Sequence, residues 1–172
     1  MSVVKRLARW RVPLGFLSAI AVFWLATPTP ALVVWGSAVA AGGEALRIWA
    51  AGHLNKSREV TRSGPYRYFA HPLYVGSATM GVGLGIASGS VVVAALIALY
   101  LGLTIGAAVR SEEAFLRAKF GADYETYRRG APPGSADRDR RFSVAQAMAN
   151  REYRALGGLV LAVLLLLIKS TL

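Results

Sequence analysis

The sequence predicts an all-α integral membrane protein with about five transmembrane helices and a cytoplasmic amphipathic helix, forming one membrane domain over residues 1–172. Three observations predict it. Hydrophobic residues make up 55% of the chain and mean hydropathy is +0.44, which is more apolar surface than a chain of this length can bury in one water-soluble core. Those residues gather into five stretches separated by turns or basic segments. Only 17% of residues are charged, against about 25% in soluble domains.

The first stretch, residues 12–26, ends at Thr27-Pro28-Thr29-Pro30, where each proline lacks an amide hydrogen and restricts the residue before it. The second, 31–52, reaches the roughly 20 residues a helix needs to cross the hydrocarbon. The third, 73–88, starts behind Pro72, a residue suited to a first helical position, and stops at Ser88-Gly89-Ser90. The fourth, 91–109, is again long enough to cross, and the fifth covers 155–168. The first, third and fifth are short, so flanking residues or local bilayer thinning must complete them. Gly81-x-x-x-Gly85 and Gly102-x-x-x-Gly106 read as helix-contact surfaces, because small residues let backbones approach where lipid offers no hydrophobic drive.

Charge assigns the sides. The amino-terminal tail, the loop 53–72 and the segment 110–154 together hold 18 of the 20 Lys and Arg residues, while the two turns between spans carry none. By the positive-inside rule the amino terminus and both basic segments are cytoplasmic, at the inner membrane if the host is bacterial. The net charge of +11 is thus an address rather than a nucleic-acid patch; no nucleic acid is expected as partner, whereas anionic membrane lipids are. With no cysteine, disulfides and thiolate zinc sites are excluded, and no metal site is expected.

Two cytoplasmic regions and one intramembrane pair carry the chemistry-bearing residues. In Ser63-Gly-Pro-Tyr66-Arg67-Tyr-Phe-Ala70-His71-Pro-Leu-Tyr74-Val-Gly76, His71 falls at the start of a helix, where free amides favour an anion, and Tyr74 lies one turn in. The bland alternative is an aromatic and basic interface belt. In the second region, read as a helix, Glu113, Leu116, Phe120, Tyr124 and Tyr127 share a face that Gly121 can bend or cap. Glu113 either heads an apolar stripe or pairs with Arg117 four residues on, and Glu112 faces about 100° away. Glu44 and Arg47 inside the second span are i,i+3 neighbours, either a structural pair or a functional one, since a charge at bilayer depth costs about 2.5–3.5 kcal/mol.

Gly64-Pro-Tyr-Arg-Tyr-x-x-His-Pro-Leu-Tyr-x-Gly76, a helical hairpin, Arg110-x-Glu-Glu113 and Phe120-Gly-x-x-Tyr124-x-x-Tyr127 resemble the isoprenylcysteine carboxyl methyltransferase and phospholipid methyltransferase family of integral membrane enzymes. The likeness runs from about Arg62 to Pro132, within a methyltransferase-like core of about 53–133. It implies an S-adenosylmethionine-dependent enzyme that methylates a lipid-like acceptor: a prenylcysteine-like carboxylate, a phospholipid amine or another apolar molecule. It implies a cofactor site of His71, Tyr74, Gly76, Glu112, Glu113 and Arg67 at the cytoplasmic helix ends. Arg110, Glu113 and Glu44 are the expected catalytic group, with a Glu assisting where an amine acceptor must lose its proton. The family pattern carries a basic residue where this chain has Ala70, which leaves the acceptor open. The competing readings are a nicotinamide-dependent membrane reductase and a non-enzymatic helical membrane subunit.

Overall fold

A computed structural model describes residues 20, 23–56, 58–130 and 140–172. Among these every regular element is helical: α1 (Pro30–His53), a 3-10 turn (Gly64–Arg67), α2 (Pro72–Ala87), α3 (Val91–Phe120), α4 (Ala122–Arg128), α5 (Val144–Ala149) and α6 (Tyr153–Lys169). Of the expected span over 12–26, residues 12–19, 21 and 22 fall outside the described residues.

Helix starts follow local chemistry. Thr29 caps α1 by accepting from the Leu32 amide at 3.4 Å, with Pro30 in the first turn. Ser90 caps α3 in the same way, accepting from Val93 at 3.4 Å. By length and composition α1 and α3 are able to cross a membrane, whereas α2 and α6 have only 16 and 17 residues. The fourth apolar stretch does not end its helix at 109. α3 runs on to Phe120, 30 residues or about 45 Å, against about 30 Å of hydrocarbon. The Glu pair therefore rides on a rigid extension of an apolar helix. Gly121, at φ 50°, ends it and starts α4.

The uncharged turns meet at one end. The Thr27 amide donates to the Ser88 carbonyl at 2.8 Å, and Lys169 Nζ reaches the Phe23 and Trp24 carbonyls at 2.6 and 2.9 Å. A small core of Ala26, Val33, Ala87 and Leu166 packs beside them. α1 and α2 touch backbone to backbone. A Cβ on Gly43 would stand 2.6 Å from the Gly76 carbonyl, and one on Gly83 2.5 Å from that of Gly36. The contact thus uses Gly36, Ala40 and Gly43 against Gly76 and Gly83 rather than the two expected motifs. Gly81 and Gly85 face α3, and a Cβ on Gly102 or Gly106 would meet nothing among the described residues. α3 buries only Val93 and exposes Leu96, Leu99 and Leu103, a surface suited to lipid rather than water.

At the opposite end, the segment after residue 140 closes over the end of α1. Ser143 N–H donates to the Gly52 carbonyl at 3.2 Å, Gln146 to Leu54 at 2.8 Å, and Asn150 to Ala51 and Leu54 at 2.8 and 2.9 Å. These carbonyls lie at the end of the helix, where intrahelical donors run out, so a remote backbone amide and two remote side chains supply partners.

Candidate active site

The loop after α1, the start of α2, the extension of α3 and α4 enclose a cavity of about 490 Å³ at this end. That is within the roughly 300–1,000 Å³ of small-molecule sites. His71, Tyr74, Glu112, Tyr66, Tyr124 and Tyr127 are among its walls. His71 is the residue that precedes α2, and Pro72 starts the helix without needing an amide partner.

His71 lies between the two glutamates, with Nδ1 3.8 Å from Glu112 and Nε2 3.4 Å from Glu113. Their surroundings separate them. Glu112 lines the cavity, is 40% exposed, and accepts a hydrogen bond from Tyr74. Glu113 is 17% exposed and lies 3.4 Å from Arg117 and 3.3 Å from Arg128 as well as beside His71. Glu113 pairs with Arg117, and through Arg128 and His71 it also ties α3 to α4 and to the start of α2.

α4 folds back because Gly121 turns the chain, and polar contacts hold it there. Arg62 donates to Asp123, and Tyr127 donates to the Tyr66 and Phe69 carbonyls at 3.0 and 3.3 Å. Burial pushes the Tyr127 phenol up to about 12, with Tyr124 adding to the rise while Arg128 and Arg62 oppose it. Tyr66 is also raised by burial, then by Glu112. Tyr124 is raised by burial and by Glu113; its hydroxyl is buried and finds no hydrogen-bond partner among the described residues. That orphaned donor is at the cavity wall.

The other expected site residues stand elsewhere. Gly76 turns its bare Cα towards α1, where a Cβ would lie 2.5 Å from Arg47 Cγ, so it serves helix packing. Arg67 and Arg110 are exposed and outside the cavity lining. Glu44 is buried in the bundle, 3.5 Å from Arg47 and apart from the cavity. Sequence reasoning missed Tyr66 and the loop residues Val60 and Thr61 as walls, because only the loop's return brings them over α2.

A second, apolar groove of about 1000 Å³ runs between α2 and α3 towards the uncharged turns, walled by Ala78, Gly81, Gly85, Gly102, Ile105 and Gly106. It adjoins the first cavity: Tyr74 and Ala108 line one, and Ala78 and Ile105, about a turn further on, line the other.

The class so defined is a helical membrane protein with a small-molecule cavity that carries polar groups in its wall and lies beside an apolar groove. The phospholipid methyltransferase family model matches residues 31–123, and the chain belongs to that family. It is similar to the cobalt-zinc-cadmium resistance protein CzcN of Cupriavidus metallidurans, 32% identical over 74% of this chain and 62% of that protein. It is 38% identical to the nickel-cobalt-cadmium resistance protein NccN of Alcaligenes xylosoxydans xylosoxydans over 50% of this chain and 41% of that protein. It is 33% identical to the protein-S-isoprenylcysteine O-methyltransferase of Schizosaccharomyces pombe over 57% of this chain and 42% of that protein. The chain thus spans between about two fifths and three fifths of the length of these relatives. The first two names describe resistance and the third a reaction. No solved structure matches the chain.

Proposed function

We propose that this chain is an S-adenosylmethionine-dependent methyltransferase acting on a lipid-like acceptor at the cytoplasmic end of a five-helix membrane bundle. The observation that carries the proposal is the junction of the two cavities. A chamber with a carboxylate, an imidazole and a phenol that is unpaired among the described residues adjoins a groove with apolar walls. The donor set fits the cofactor. Glu112 offers an acceptor for an ammonium, and Tyr124 offers a buried donor with no partner of its own among the described residues. Tyr66, Phe115 and Tyr127 supply aromatic surface for a nucleobase. When bound, the cofactor supplies an electrophilic methyl group on a cationic sulfur.

The chain's own residues then contribute position and dryness. Glu113, held by Arg117 and Arg128, fixes His71 at the cavity edge. Tyr127 pins α4 over the loop, so the aromatic walls exclude water from the reacting pair. The apolar portion of the acceptor lies in the α2–α3 groove, with its nucleophilic head towards Tyr74. A carboxylate acceptor needs no base, whereas for an amine Glu112 is the carboxylate at hand.

Calorimetry on the purified full chain tests this reading with S-adenosylmethionine and with reduced nicotinamide dinucleotide. Micromolar binding of the first is expected; binding of the second and none of the first overturns it. Gly102→Leu fills the groove and is expected to raise KM for a long-chain acceptor while leaving cofactor affinity unchanged. The chain has no cysteine, so Thr29→Cys gives a unique label, expected to react from outside the membrane.

A further inference from the structure

Arg47 is the hub of a buried polar cluster that lies beneath the cofactor cavity and is not part of it. Its Nε donates to Glu152 at 2.7 Å, and its Nη1 donates to the Leu73 carbonyl at 3.4 Å and to Ser77 Oγ. Arg47, Glu44 and Glu152 are 19%, 3% and 8% exposed at the side chain. Glu152 precedes α6, where an acidic side chain commonly accepts from the helix's own first amides. It makes no such bond and turns to Arg47 instead. Glu44 stands 3.5 Å from Arg47 Nε, with neither oxygen hydrogen-bonded among the described residues. The guanidinium therefore has two carboxylate neighbours and is committed to one.

The choice has a consequence for the site. With Nε on Glu152, Nη1 holds the first turn of α2 at Leu73, which lines the cavity between His71 and Tyr74. Were Arg47 to turn to Glu44, on its own helix, that hold on α2 would be released. Glu152 lies beyond the family match, which ends at residue 123, so the carboxyl-terminal segment contributes it to the core.

We propose that Glu152 acts through Arg47 as a positioning residue for the cofactor site, drawing the guanidinium away from Glu44 so that it holds the first turn of α2 in register. The proposal rests on the methyltransferase reading for its affinity readout, and hydrogen exchange provides one that does not. In the full chain, Glu152→Ala is expected to weaken S-adenosylmethionine binding about tenfold and to speed amide exchange selectively over residues 73–77. Adding Glu44→Gln removes the competing carboxylate and is expected to restore much of the affinity and protection, although it lowers thermal stability further. A purely structural role predicts that both deteriorate together. Unchanged exchange at 73–77 in Glu152→Ala, exchange raised uniformly along the chain, or a deeper loss in the double variant each overturns the proposal. If Glu152→Ala does not fold, Glu152→Gln, which keeps an acceptor, is expected to give about a threefold loss with the same local exchange pattern, and its absence is equally fatal. A wild-type chain that binds no S-adenosylmethionine refutes the methyltransferase reading alone, because the exchange comparison still decides the role of Glu152.

Discussion

Exchanging the carboxylates of Glu112 and Glu113 for amides, one at a time, should separate two residues that are neighbours in sequence. Glu112 faces the cavity, with Tyr74 and a histidine 3.8 Å away beside it. A hydrogen bond to a charged group contributes about 1.5–3 kcal/mol. At 40% exposure water screens part of that, which places Glu112→Gln near the lower end, about 1.5 kcal/mol, or roughly tenfold weaker cofactor binding. Glu113 is different, because its charge is already shared by His71, Arg117 and Arg128. Arg117 and Arg128 are themselves 51% and 39% exposed, so each pair contributes at most about 1 kcal/mol. Glu113→Gln should therefore loosen α4 and lower the melting temperature, with a loss of affinity smaller than that of Glu112→Gln. Calorimetry and thermal unfolding of the detergent-purified variants read both quantities. If Glu112→Gln binds within twofold of the wild type while Glu113→Gln abolishes binding, the assignment of roles is wrong.

The α1–α2 contact gives a second expectation. Gly43→Ala should cost about 1–3 kcal/mol through overpacking against the Gly76 carbonyl, whereas Gly102→Ala should leave the melting temperature unchanged. Equal melting temperatures for the two variants would contradict the close approach. A third concerns pH. Because the Tyr127 phenol is pushed up to about 12, its contribution to stability is complete below the ordinary value of about 10 and disappears as pH rises through 12. Ultraviolet titration of the folded chain should show late tyrosinate ionisation that Tyr127→Phe diminishes by one group, and ionisation of every tyrosine near 10 would refute it. At neutral pH the same variant should lose about 0.5–1.5 kcal/mol, because its hydroxyl no longer ties α4 to the loop at Tyr66 and Phe69.

Local chemistry made much of this protein legible in its sequence. The Thr27–Pro30 and Ser88–Ser90 breaks and the apolar runs that α1 to α3 follow are short-range features, and α1, α2 and α3 begin at Pro30, Pro72 and Val91, at or just after the breaks and the proline read in the sequence. His71, Tyr74 and Glu112 were brought together in the sequence only by the family resemblance, and the structure places all three on the wall of one cavity, with Glu112 on the extension of α3. Gly76 was legible as a special position but not in its purpose. Whether a bare Cα faces a ligand or another backbone depends on how α1 crosses α2. The division between Glu112 and Glu113 depends in the same way on where α4 lies after Gly121.

By itself the sequence determined that the chain is helical and apolar, and that its basic charge gathers in segments that alternate with uncharged turns. These follow from residue type and period alone. Only tertiary structure decided that Glu44 and Arg47 belong to a buried hub shared with Glu152, 105 residues from Arg47, and that Tyr124 keeps a hydroxyl with no partner among the described residues at a cavity wall. The physical reason is that the fate of a buried polar group depends on the partners that packing brings to it, and those partners are remote in the chain.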